Sequence, residues 1–194
     1  MTNVNMNKRE HTAQRICIQY FDSPCGELIL GSMDDALCLC DWNGMPCAER
    51  SIRRMGRYVP ADFSIASSPV LEQTKRQLEE YFAGHRKVFT IPLHPCGTAF
   101  QLRVWNALLH IPYGATTSYM EIARTLDNVK GVRAVAQAIG ANGIDLLIPC
   151  HRVIGNNHSL TGFAGGLDKK RWLLELEWRH LITYTEKGTA NYTF

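Results

Sequence analysis

The sequence predicts an α+β protein: a small N-terminal antiparallel-sheet domain with helices, followed by a mostly helical, winged-helix-like part that contains a helix-turn-helix. Three observations carry this. Short runs with strand-like alternation, bounded by turn residues, all lie before Trp42. From Ser67 onward, apolar residues recur at helical spacing behind capping residues. Between these halves, Arg86 to Gly97 holds two prolines and reads as a linker, so the boundary falls near Pro95-Cys96-Gly97. The expected parts are a disordered start over 1–14, an N-terminal domain over 15–95, a C-terminal domain over 96–180 and a tail over 181–194.

The strands come first. Arg15 to Phe21 alternates, and Asp22-Ser23-Pro24-Cys25-Gly26 turns the chain. Glu27 to Gly31 is a second strand, Asp34-Asp35 a second turn, and Ala36 to Asp41 a third strand. Tight connections make these an antiparallel meander. Ala48 to Tyr58 is a charged helical or irregular segment carrying Arg50, Arg53, Arg54 and Arg57. Ser67-Ser68-Pro69 then starts a helix, with a hydroxyl cap and proline in the first turn, and Gly84 ends it.

After the linker, Thr98-Ala99-Phe100-Gln101 fits a capping box, and Phe100, Val104, Trp105, Leu108 and Leu109 line one helical face. Ile111-Pro112-Tyr113-Gly114 stops that helix. Ser118 and Glu121 form a second box ahead of a short helix through Leu126. A tight connection follows, and then a third helix from Gly131 to Ala141, ended by Asn142-Gly143. Short helix, turn, second helix is the helix-turn-helix pattern. The third helix is built from small residues with Arg133 as its only full charge, which suits close packing on another helix or on a groove of DNA. Leu167 to about Trp178 is a final helix.

Composition narrows the class. Apolar residues make up 45% and charged residues 20% of 194, as in ordinary soluble domains. No apolar run approaches the ~18 residues of a membrane span. Met1 to Glu10 has no signal-peptide core, so a cytoplasmic protein is expected. The net charge of +3 permits nucleic acid as a partner without requiring it. Seven cysteines is an odd number, and a reducing compartment disfavours a disulfide framework. The five between Cys17 and Cys47 have no histidine among them and read as small buried hydrophobes, not metal ligands.

The chemistry concentrates at Leu146-Leu147-Ile148-Pro149-Cys150-His151-Arg152, where a thiol, an imidazole and a guanidinium follow an apolar run. Only the thiolate is a nucleophile, and burial raises a thiol's pKa, so a working Cys150 needs a base or cation nearby. His151 could serve if Pro149 bends the chain, with Glu175 or Glu177 orienting the imidazole. From these residues alone, a reactive thiol and an inert buried one are equally compatible with the sequence.

Pro149-Cys150-His151-Arg152-Val153 resembles the active-site signature of the O6-alkylguanine-DNA alkyltransferases, the methylated-DNA–protein-cysteine methyltransferase family. Phe100-Gln101, Val104-Trp105, Ile111-Pro112-Tyr113-Gly114, Ser118-Tyr119, Val132-Arg133-Ala134-Val135, Ala141-Asn142 and Gly165-Gly166-Leu167 match in the same order and spacing. The resemblance is strong over residues 98–178, and over 15–95 it extends to layout only.

The resemblance implies a ribonuclease-H-like N-terminal domain and a DNA-binding, alkyl-accepting C-terminal one. It implies irreversible, single-use transfer of the alkyl group of O6-methylguanine, and of O4-methylthymine, from duplex DNA to Cys150 after nucleotide flipping. His151 resembles the base, Glu177 the end of its relay (with Glu175 the rival), Tyr119 the proton donor to the departing base, and Asn142 the brace of the cysteine turn. Arg133 resembles the finger that fills the vacated stack. Gly131, Val132, Ala134 and Tyr119 fall on the DNA-facing surface, in the minor groove. Val153, Phe163, Ala164 and Ile139 fall at the base pocket, and Arg152 reads as a structural pairing residue. No cofactor, no metal and no membrane are implied, and the protein would act as a monomer. Phe163, Ala164, Gly140 and Asp145 depart from the family pattern. A lesion-binding or regulatory helix-turn-helix protein without transfer chemistry is the alternative, and a cysteine hydrolase a further one.

Overall fold

The structure, a computed structural model, describes residues 14–186. The N-terminal half is one four-stranded sheet. Strand β1 (Gln14–Ser23) turns tightly into β2 (Gly26–Met33), which pairs in turn with β3 (Ala36–Trp42), both antiparallel. This is the expected meander. A fourth strand, β4 (Ala61–Ile65), pairs in parallel with β1, giving the order β3-β2-β1-β4. The sheet is therefore mixed, a correction to the purely antiparallel expectation. Ala61-Asp62-Phe63-Ser64-Ile65 sits on the open edge with Phe63 and Ile65 exposed, so it lacks the buried face that marks an inner strand.

Helices cover both faces. Helix α1 (Pro46–Met55) opens with proline in its first turn and lays Ala48 and Met55 on Ile16, Ile18, Ile29 and Leu39. Helix α2 (Pro69–Phe82) is capped by Ser68, whose Oγ accepts from the Leu71 amide, and buries Leu71, Leu78 and Tyr81 on the opposite side. The linker then runs along the free edge of β3. Leu37 N–H donates to Pro92 O and His94 N–H to Leu37 O, each at 2.8 Å, so the edge is paired and not left open.

In the C-terminal half, α3 (Ala99–Leu108) starts with the full capping box of Thr98 and Gln101. A two-residue strand, β5 (Thr117–Ser118), leads into α4 (Tyr119–Thr125), a 3-10 turn at Val129–Gly131 and α5 (Val132–Ile139). Ser118 caps α4 through the Glu121 amide, but the reciprocal half of that box is absent, because Glu121 pairs with Arg124 instead. Trp105 Nε1 donates to Ala138 O at 2.8 Å and ties α3 to α5. A second 3-10 turn, Cys150–Arg152, leads into β6 (Val153–Ile154), which pairs in parallel with β5. The last helix, α6 (Leu167–Glu186), runs well beyond the expected end near Trp178, so residues expected in a loose tail are helical up to 186. The rest of that tail and the expected disordered start before Gln14 lie outside the described residues.

The two halves share a core. Leu30, Leu37, Trp42, Leu71 and Tyr81 pack in one cluster with Trp105, Val135, Ile148 and Leu173. Each such side chain, fully buried, contributes about 1.5–3 kcal/mol. The backbone reinforces the join: Cys40 N–H donates to Gly143 O at 2.9 Å and Asp145 N–H to Cys40 O at 2.6 Å. The sheet thus holds the segment that leads to Cys150.

Candidate active site

Pro149 and the 3-10 turn after it place Cys150, His151 and Arg152 in the interior, all three buried. Asn142, at the exit of α5, braces the turn. Its Nδ2 donates to Ile148 O (2.9 Å) and points at Cys150 Sγ (3.3 Å), while its Oδ1 accepts from the Ile144 amide (3.0 Å). The thiol donates to Asp145 Oδ1 at 3.1 Å. Burial pushes the Cys150 thiol far above its ordinary range, and the neighbouring Asp145 adds to this.

Behind the thiol sits a second set of groups, centred on Glu177. Its Oε1 accepts from Tyr81 Oη (2.8 Å), His151 Nε2 (2.9 Å) and Arg152 Nη2 (2.9 Å). Its Oε2 accepts from the Gly114 amide (2.8 Å) and Arg152 Nε (3.1 Å). Burial alone would raise this carboxyl, but the hydrogen bonds and charge of His151 and Arg152 outweigh it and hold it at about 2. Glu175 is exposed on α6 and does not enter this set.

A carboxylate only accepts, so the proton between Glu177 and His151 belongs to Nε2. His151 is then the tautomer with a free lone pair on Nδ1, and Nδ1 is buried without a protein partner. Burial lowers the pKa of His151, against the pull of Glu177, which keeps the ring neutral and able to accept a proton.

On the side of Tyr119, which lies near the thiol, is a pocket of about 450 Å³, lined among others by Tyr119, Val132, Arg133, Gly140, Phe163 and Ala164, with Cys150 itself outside the lining. Tyr119 Oη donates to Thr161 O (3.1 Å) and Gly162 O (2.9 Å), and burial pushes its pKa up to about 12, so it stays protonated. Gly162 has a φ of +54°, and a Cβ there would come within 2.7 Å of the Tyr119 hydroxyl. Arg133 and Ala134 are exposed on α5. Gly131 sits where a Cβ would strike the Asn128 side chain, at 2.4 Å. Ile139 and Val153 are buried in the same core cluster as Cys150, one layer behind the residues that line the pocket.

Three residues were not anticipated. Lys170 is fully buried, with Nζ donating to Val153 O (2.5 Å), Thr161 O (2.6 Å) and Gly162 O (3.2 Å), so it pins the loop carrying Phe163 to the cysteine turn. Its signal was a lysine at a position where the period of α6 calls for an apolar one. Tyr81 enters from α2, whose sequence shows no sign of it beyond an aromatic in a core position. Arg50, from the charged segment after the third strand, lines the pocket from α1. Among the described residues, no group of three or more His, Cys, Asp or Glu is placed to hold a metal ion, and no helix is long and apolar enough to cross a membrane.

A helix-turn-helix beside an open pocket, with a braced thiol and a neutral, carboxylate-oriented imidazole behind it, defines a DNA-binding protein with a nucleophilic cysteine. The family follows from comparison with known proteins. The model of the 6-O-methylguanine DNA methyltransferase ribonuclease-like domain matches residues 16–95, and that of the same family's DNA binding domain matches residues 99–179. The chain belongs to the 6-O-methylguanine DNA methyltransferase family. It is 40% identical over 173 residues to the methylated-DNA–protein-cysteine methyltransferase of Haemophilus influenzae, covering 89% of this chain and 90% of that one. Among solved structures it is similar to the O6-methylguanine methyltransferase of Mycobacterium tuberculosis, at 36% identity and a TM-score of 0.73, with 87% and 99% of the two chains covered. It is also similar to the same organism's OGT in complex with DNA, at 37% identity and a TM-score of 0.71, with 86% and 94% covered.

Proposed function

We propose that this chain repairs O6-methylguanine in DNA by moving the methyl group on to Cys150. The observation that carries this is the pairing of a buried thiol with a neutral His151 whose Nε2 is fixed by Glu177 and whose Nδ1 is free. Helix α5, with its small exposed residues, enters the minor groove with Gly131, Val132 and Ala134 towards the backbone. Arg133 takes the place in the stack of the nucleotide that flips into the pocket between Tyr119 and Phe163. Ala164 lines that pocket without offering a hydroxyl.

His151 Nδ1 takes the thiol proton, through a water. Cys150 Sγ attacks the methyl carbon in line, the S–C bond forms as the C–O6 bond breaks, and the electron pair stays with guanine. Tyr119 Oη gives its proton to the departing base, and a thioether remains. Nothing in the site reverses a thioether, so each chain acts once. O4-methylthymine presents the same alkyl–oxygen bond and is a second substrate. The protein acts as a monomer, without a cofactor.

The test is Cys150→Ala. With duplex DNA carrying a labelled O6-methyl group, the variant should bind the lesion and acquire no label, while the wild type acquires it. Label transfer to the variant would reject Cys150 as acceptor.

A further inference from the structure

Two acids are buried together at the back of the thiol. Asp41, next to last in β3, has both oxygens satisfied: Oδ1 accepts from the Trp42 amide (2.8 Å) and Oδ2 from Ser51 Oγ (2.7 Å). Arg54, which donates to the same Ser51 Oγ at 3.2 Å, adds a positive charge to that side. Asp145 has far less. Its Oδ1 meets the Cys150 thiol (3.1 Å) and the Asn142 amide (3.3 Å), and its Oδ2 makes no well-formed hydrogen bond, the Trp42 indole N–H, also unpaired, being the one further donor that faces this carboxyl. No ion pair reaches it among the described residues.

Two neighbouring carboxyls in a dry site do not both ionise, and the charge settles on the better-solvated one. That is Asp41. An ionised Asp145 would put a second negative charge beside Asp41 in the core with no cation to pair it, which is far more costly than a neutral group there. A neutral Asp145 instead has an O–H still lacking an acceptor.

We infer that Asp145 is a further catalytic residue, a neutral acid whose O–H donates to the Cys150 thiolate when the thiol proton leaves. At rest the thiol donates to Oδ1. Once His151 has taken that proton, a half-turn about the Cβ–Cγ bond brings the Asp145 O–H on to the sulfur. Asp145 keeps its proton throughout, so the balance of the transfer is unchanged, and the hydrogen bond is lost when Sγ becomes a thioether. The groups facing this acid agree with the assignment. Cys40 and Asp41 on β3 and Cys47 on α1 are neutral or negative, Arg54 acts through Asp41, and Tyr119 and Lys170 act on the sulfur. Burial and then Asp41 push the Asp145 carboxyl well above its ordinary range.

The inference rests on Cys150 being the methyl acceptor, and one experiment separates the two. Single-turnover methyl transfer from an O6-methylguanine duplex is followed against pH for wild type, Asp145→Asn and Asp145→Ala, and the methylated residue is located by peptide mass. Asp145→Ala should be slower by about 10- to 100-fold, the span of a hydrogen bond to a charged group. Asp145→Asn keeps a neutral donor and should lose only about threefold. The wild-type rate should fall at alkaline pH, as Asp145 ionises beside the sulfur, and the Asn variant should lack that fall. Thermal melting and lesion binding confirm that both variants fold. Parallel pH profiles for wild type and Asp145→Asn, or an Asn variant faster than wild type, overturn the role of Asp145 while leaving Cys150 as acceptor. A methyl found away from Cys150 overturns the reading beneath it.

Discussion

Replacing Glu177 with Gln should destabilise the protein in a way that depends on pH. The carboxyl falls from an ordinary 4.5 to about 2 in the fold. At ~1.36 kcal/mol per pH unit, that depression contributes about 3 kcal/mol. Because the folded value lies below the unfolded one, the contribution is complete above about pH 4.5 and is lost as pH falls through about 2. Glutamine keeps the shape but leaves the buried Arg152 guanidinium without its anion, and breaking a buried pair in this way costs about 3–5 kcal/mol. For a chain of this size the melting temperature should drop by roughly 6–20 °C at neutral pH. Urea unfolding of both proteins from pH 7 to pH 2, followed by circular dichroism, measures the gap directly. A gap of about 3 kcal/mol at neutral pH that closes towards pH 2 is expected. A variant within about 1 kcal/mol of wild type at neutral pH, or a gap that does not narrow in acid, would refute the reasoning.

Other substitutions probe the reaction. Tyr119→Phe should slow methyl transfer by about 10²- to 10⁴-fold with most lesion binding retained, read by single-turnover kinetics beside a binding isotherm. Arg133→Ala should slow repair in duplex DNA more than attack on free O6-methylguanine, and equal losses on both substrates would reject its role in the stack. Lys170→Met should release the loop around Thr161 and Gly162, seen as faster amide exchange there and slower transfer, because three carbonyls lose their shared donor.

Local chemistry was legible wherever one residue decides an element. Ser68 with Pro69, and Thr98 with Gln101, start helices where their side chains satisfy the first amides. The Ser118 box was only half right, since Glu121 found Arg124 closer than its own N-cap amide. Strand β4 was missed because an exposed edge imposes no buried period. The length of α6 exceeds the expectation although Trp178, Leu181 and Ile182 continue a helical spacing past the expected end, broken by the polar pair Arg179 and His180. In the site, Cys150, His151 and Asn142 stood in one readable stretch. Glu177 and Glu175 could not be separated by spacing, since only the rotation of α6 decides which faces His151. Ile139 and Val153 came from the family resemblance alone, and the structure buries both in the cluster that also holds Cys150. The contact of Asp145 with Asp41 depends on β3 meeting the segment after α5, a long-range pairing that no local pattern encodes.

The central claim is that Cys150 takes one methyl group from DNA and keeps it. The most direct measurement is the intact mass of the wild-type protein after incubation with excess O6-methylguanine duplex, followed by peptide mapping. A single added methyl per chain, on Cys150, with no further turnover, is the expected result. An unchanged mass despite tight lesion binding, or a methyl on any other residue, would contradict it.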